Sequence, residues 1–453
     1  MSEIVVKPVI VSSKPCMMKG AASRNEDSGA SQSVSTLPSV SANGNFVSPV
    51  QTTLITKAEK EKFNTVCQMV DKNNLSKVNE LLSTGKLLDK KYSNDDSSVL
   101  DNLYKMATTK RASGLDAKVV LNETINTIHN PFLITQKFGD IPKEYRKEIL
   151  NHENQTLKLS GKNKKDSVKA KDIDIKESAC CVAASIEFNM AHRMPAEFAR
   201  MVEGLSSEKY SVEKVIDTKT IALNYVDSMT LLSNFKTEPA YEQGIDKVRV
   251  KLEPDKNAII RARIQTTHKD PGERSVVDVL MQSMLMNVGS AKTYDSLLDN
   301  REGYFDKGLA NVEKTFTECL VTGKNNILVN YQIIDDDLTL KGYECPLEEM
   351  KKHLTDSLKE GSNVIIGYTD LQDDGKINPD GHEITIIGIE KDKAGKEYFV
   401  CKDTDSSNRD SQEAIRQIQH PVRYEVSELL PRIHHAGISY DVLRKNNVEF
   451  ERV

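Results

Sequence analysis

Three short apolar runs near the C-terminal end do most to limit the folds open to this chain. Asn363 to Tyr368, His382 to Ile389 and Tyr398 to Lys402 are rich in Val, Ile, Tyr and Phe, and turn-forming residues separate them, which is the pattern of consecutive strands. A helical segment, Pro346 to Lys359, stands just before them. A helix followed by successive strands, rather than strict alternation of the two, points to an α+β fold with an antiparallel sheet and not to a doubly wound one.

With 453 residues, the chain is long enough for two or three structural units. Ala21 to Val50 is mostly Ser, Asn, Gly and Pro, which bury too little apolar surface to offset their ordering entropy; residues 1–55 are expected to be a disordered tail. Phe63, Val66 and Val70, then Leu75, Val78 and Leu82, then Leu100, Leu103 and Tyr104 recur at spacings of three and four, predicting a helical domain over 56–155. The basic, weakly apolar stretch Leu157 to Lys171 reads as an exposed linker, placed at 156–174. The remainder, 175–453, is expected to form the main domain, with an insertion around 210–300.

Within it, Cys181 to Met190 predicts a buried helix, and Pro195 suits the first position of another. Val248, Val250 and Leu252, then Ile260, Ala262 and Ile264, alternate across Pro254-Asp255-Lys256-Asn257 and predict a hairpin. The Met-rich segment Ser275 to Val288 reads as a core helix.

The formal charge of -5 is small for this length, and no basic stripe interleaved with aromatics stands out, so nucleic acid is not the expected partner. No apolar run approaches the roughly 20 residues that span a bilayer, and no membrane segment is expected. The first residues lack the charge and apolar pattern of a secretory signal. Seven scattered cysteines without a repeated C-x-x-C indicate neither a disulfide scaffold nor a zinc ribbon, hence a cytoplasmic protein, or one exported without a cleaved signal peptide.

The chemistry concentrates at Cys180-Cys181, which opens an apolar helix. A thiol at a helix N-terminus feels the positive end of the backbone dipole, which favours the nucleophilic thiolate, and free N–H groups there point at a developing oxyanion. Such a nucleophile needs a base. His382 opens a strand beside a polar turn, and the next strand delivers Asp403 at its far end, where a carboxylate can orient the imidazole. Cys180 lies about 100° round the helix from Cys181 and is expected to pack inside, unless the register differs by one and the two exchange roles. His192 and the pair His434-His435 are read as core or surface histidines. Asp370 to Gly375 resembles a calcium loop but has Gly381 where the twelfth-position glutamate belongs, and is read as a turn.

These residues resemble the papain-like cysteine peptidases. The family's Cys-x-Ala-x-Ser is matched by Cys181-Val182-Ala183-Ala184-Ser185. Its glycine six residues after the histidine is matched by Gly388, followed by Ile389, and its Tyr-x-x-x-Lys-Asn by Tyr398 to Asp403. The resemblance covers residues 175–453 and implies Cys181 as nucleophile, His382 as general base and then acid, and Asp403 as the orienting residue, with no cofactor or metal and a protein or peptide substrate. The family's glutamine six residues before the cysteine, a side-chain donor to the oxyanion hole, falls on Ile175, leaving Lys176 or another residue to replace it. Val182 replaces an aromatic residue, and Asp403 stands for the usual Asn. His382 follows Cys181 by 201 residues (382 - 181), against about 130 to 150 in the papain pattern. The same triad suits a deamidase, transglutaminase or acyltransferase, and the missing glutamine suits a catalytically inactive peptide-binding module. The helical domain stands where an inhibitory pro-segment would.

Overall fold

The computed structural model describes residues 50–137, 141, 145–147, 150–151, 178–221, 225–242, 244–268, 272–301, 308–369, 376–377, 381–405 and 420–448. Most of the tail, the linker, Ile175, Lys176 and Asp370–Gly375 lie outside them.

Four helices open the described chain: α1 (Lys57–Met69), α2 (Lys72–Ser83), α3 (Val99–Thr108) and α4 (Ala117–His129). Their starts are written locally. The Thr56 hydroxyl accepts from Glu59 N while the Glu59 carboxylate accepts from Thr56 N, and Ser98 with Asp101 repeats the device on α3. The three-and-four spacing is used as expected, with Val66, Val78, Leu100 and Leu103 all buried.

Next come α5 (Cys181–Arg193) and α6 (Pro195–Ser206), the latter with proline in its first turn. Every residue of α5 from Cys181 to Ala191 is buried. A helix with no solvent face must be surrounded. On one side lie α4 and α6, and the apolar side chains of α1–α3 continue the same core behind them; Phe132, just after α4, packs its ring 5.3 Å from that of Phe188 on α5.

The expected hairpin at 248–264 is not formed. Strand β1 (Val212–Asp217) pairs antiparallel with β2 (Lys247–Leu252), and Ala258–His268 is helix α7. Alternation among Ile260, Ala262 and Ile264 misled, because the buried positions are Ala258, Arg261, Ala262, Ile264 and Gln265, a spacing of three and four. The segment read as a turn instead starts the helix: the Asp255 carboxylate accepts from Asn257 N, and Asn257 O accepts from Arg261 N. Helix α8 (Val276–Gly289), capped by Ser275 and Asp278, is buried along its length, as the Met-rich segment predicted, and α9 (Asn311–Thr322) follows.

The principal sheet is built from β3 (Asn326–Asn330), then, after α10 (Leu347–Lys359), from β4 (Val364–Tyr368), β5 (His382–Lys391), β6 (Glu397–Lys402), β7 (Val422–Glu425) and β8 (Ile433–Ser439). The order is β7-β6-β5-β4-β8-β3 and every pairing is antiparallel. The fold is thus α+β. One face of the sheet packs Ile384, Ile386 and Phe399 with Leu354 of α10, whereas Ile365 points into the helical core. Among the described residues no helix is long and apolar enough to cross a membrane.

Because Phe188 is fully buried where the first helices meet α5, Phe188→Ala is expected to lower unfolding free energy by about 3–5 kcal/mol, measured by denaturant titration.

Candidate active site

Cys181 is the first residue of α5, with Cys180 at the cap position. The two neighbours are in different surroundings. Cys180 is fully buried, its Sγ 3.2 Å from Asp299 Oδ1 and 3.4 Å from Tyr294 Oη. Burial, and then the Asp299 charge, push its thiol up to about 12. Cys181 keeps 7% exposure and adjoins the His382 ring. The register of α5 therefore separates a cysteine packed against Asp299 and Tyr294 from one beside the His382 ring.

His382 is the first residue of β5, and Asp403 follows directly on β6. A bulge between Val400 and Cys401 matters here. Before it Phe399 opposes Ile389 and Val400 opposes Gly388; after it Cys401 opposes Ile386 and Lys402 opposes Thr385. Continued past the strand end, this register sets Asp403 opposite Ile384, on the face shared with His382 and one diagonal step away. Without the shift Asp403 would oppose Thr385, on the other face.

The result is a hydrogen bond of 2.8 Å between His382 Nε2 and Asp403 Oδ1. With Nε2 so engaged, Nδ1 is the nitrogen left for Cys181. It forms no hydrogen bond of ordinary geometry, although the thiol is near enough to act on the ring; catalytic contacts are often misaligned before substrate arrives. Burial disfavours charge on His382, but the Asp403 carboxylate, its hydrogen bond and the Cys181 contact outweigh burial and hold the imidazole well above its ordinary range. The His382 and Asp403 side chains are 13% and 12% exposed, so the pair is shielded without being sealed.

Several supporting residues carry no sequence signal of their own. Asp405 N donates to Asp403 Oδ1 at 2.9 Å, and Tyr424 Oη on β7 donates to Oδ2 at 3.4 Å. Tyr368 stands edge-on to His382 at 6.0 Å, with the Arg432 guanidinium over the Tyr368 ring, 5.0 Å from its centroid. Burial, then the Asp403 charge, push the Tyr424 phenol well up, so it remains a donor. Aromatic enrichment beside the triad strands was visible, but nothing in it told packing from support.

The histidines His192, His434 and His435 serve elsewhere. His435 Nε2 lies 2.9 Å from Glu383 Oε1 and 3.0 Å from Lys314 Nζ, which also pairs with Glu383, and His434 Nδ1 is 2.8 Å from His435 Nδ1. His192 Nδ1 accepts from Asn363. Among the described residues no group of three or more His, Cys, Asp or Glu is placed to hold a metal.

Cys181, His382 and Asp403 thus come together from one helix and two strands, with the thiol at a helix N-terminus and the imidazole beside it. A thiol, a proton acceptor and an orienting carboxylate in that arrangement can support covalent acyl transfer. Comparison with protein-family models, curated proteins and solved structures finds no match to this chain.

A histidine with a raised folded pKa stabilises the fold fully below its unfolded value of about 6.5, and that contribution is lost as pH rises through the folded value. Asp403→Asn is therefore expected to cost stability near pH 6 and progressively less in alkaline solution. Equilibrium unfolding of both proteins across that span checks this, and a difference independent of pH would count against the ion pair.

Proposed function

We propose that this chain is a papain-like thiol hydrolase, most simply a cysteine endopeptidase acting on a protein or peptide substrate. The observation that carries the reading is the Nε2 to Asp403 hydrogen bond with the Cys181 thiol beside the same ring. The order Cys, His, Asp along the chain and the three matched motifs support it.

In the proposed reaction Cys181 Sγ gives its proton to His382 Nδ1 and attacks the carbonyl carbon of the scissile amide. The oxygen becomes an oxyanion beside the first-turn N–H groups of α5, which have no partner within the helix. Collapse of the intermediate breaks the C–N bond, and His382 passes its proton to the leaving amine. Water then attacks the thioester, with His382 taking a proton from it, and the acid and free thiol return. Asp403 keeps the imidazole oriented throughout and stabilises its charged form.

A carboxylate at the third position suits transamidating and deamidating relatives of this chemistry equally, because only the acceptor of the acyl group changes. Incubation with casein and a labelled amine distinguishes the two. Peptide fragments support the peptidase, and amine incorporated into intact casein supports the transferase.

An electrophilic thiol probe is expected to label Cys181 at neutral pH, with Cys181→Ala abolishing that labelling and all turnover. His382→Ala is expected to lower turnover by about 100-fold or more. Undiminished labelling of Cys181→Ala would transfer the reactivity to another cysteine and end the assignment.

A further inference from the structure

Gln136 lies only a few residues past α4, and most of the segment joining it to Ser178 lies outside the described residues. It is nevertheless 1% exposed and wedged between the two halves of the candidate active site. Its Nε2 donates to Ser178 O at 3.3 Å, three residues before Cys181. Its Oε1 accepts from Thr404 Oγ1 at 2.9 Å, next to Asp403. Its backbone joins in, with N donating to Thr404 O at 3.0 Å and O accepting from Arg274 Nε at 3.0 Å. Arg274 Nη2 in turn donates to Ser178 Oγ at 2.5 Å, and that oxygen also accepts from Cys180 N at 3.2 Å. On either side, Thr135 Oγ1 donates to Thr404 O at 3.2 Å, and Lys402 Nζ to Phe132 O at 2.8 Å.

We propose that Gln136 is a positioning residue of the active site: its carboxamide ties the backbone leading into the nucleophile helix to the backbone leaving Asp403, so the N-terminal helices set the spacing between Cys181 and the His382–Asp403 couple. The inference rests on the proposed Cys–His–Asp chemistry. A carboxamide is suited to the task because it donates at one end and accepts at the other, and here the two ends serve different segments. An apolar side chain would fill the space but leave only the backbone bonds of residue 136 to Thr404 and Arg274 between them, and a carboxylate would set an acceptor against Ser178 O. The N-terminal helices are on this account an integral part of the site and not a detachable inhibitor.

The test is the rate at which iodoacetamide alkylates Cys181 in the full chain, read by peptide mass spectrometry as a function of pH. Wild type is compared with Gln136→Met, Thr404→Val and Asn102→Leu, the last removing a buried amide that bonds only within its own helical segment. Gln136→Met and Thr404→Val are expected to slow alkylation by about 10-fold to 100-fold and to change its pH profile, while Asn102→Leu moves thermal stability alone. Should Gln136→Met fail to fold, Thr404→Val decides, since it removes one hydroxyl and keeps the glutamine. Wild-type rates and profiles in the folded variants would overturn the positioning role and leave the thiol hydrolase standing. A wild-type Cys181 no more reactive than a free thiol would overturn both.

Discussion

The architecture depends on burying one helix on every side. Every residue from Cys181 to Ala191 is buried, Ser185, Glu187 and Asn189 included, so other elements must cover the helix completely. Helix α4, the Pro131–Leu133 turn, α6 and α8 provide one wall, and β4 and β5 the other. Partial exposure returns only at the C-terminal end, His192 and Arg193, while Cys181 at the N-terminus keeps 7% exposure beside the His382 ring. The same packing explains why the helices before the linker cannot be treated as an appendage: their apolar side chains and those of α5 belong to one core.

The parts of this arrangement that were legible in the sequence are those written by local pattern. Strand β5 and strand β6 announce themselves by composition, α5 by its mostly apolar composition, and Pro195 by its place at the head of α6. His382 and Asp403 were legible as a pair because each ends a recognisable strand beside a polar segment. The failure at 258–268 has the same origin: Ile260, Ala262 and Ile264 satisfy a period of two, yet the inward-facing Arg261 and Gln265 follow the helical period, and polar residues at buried positions are invisible to a pattern built on apolar ones.

Other determinants are tertiary and leave little local trace. The bulge at Val400/Cys401 that turns Asp403 to the His382 face skips Ile387 on β5, and its one local mark, Gly388 opposite Val400, does not by itself announce a bulge. Gln136 and Thr404 are distant in the chain, and each is an ordinary polar residue until the fold places them 2.9 Å apart. Tyr424 supports Asp403 from a strand too short and too polar to stand out. Such residues have to be found from the hydrogen-bond network, since their type and spacing alone do not single them out.

Electrostatics on the two faces of β5 specify its register. Successive side chains along a strand point to opposite faces, so His382 pairs with Asp403 on one side while Glu383 meets Lys314 and His435 on the other. Glu383 is fully enclosed, and although burial alone would favour its neutral acid, Lys314 and His435 hold its pKa far below the ordinary carboxylate range. A slip by one residue would carry Glu383 towards the carboxylate of Asp403 and leave His382 facing the Lys314 ammonium. Each exchange would bury like charges together, which costs far more than a mismatched apolar contact. Gly367 on β4 reinforces the arrangement: a Cβ there would stand 2.2 Å from the His435 ring and 2.9 Å from Glu383 Oε1, so the cluster fits against bare backbone and not against a side chain. The ion cluster behind the strand thus helps fix where His382 stands, while contributing no group to the chemistry itself.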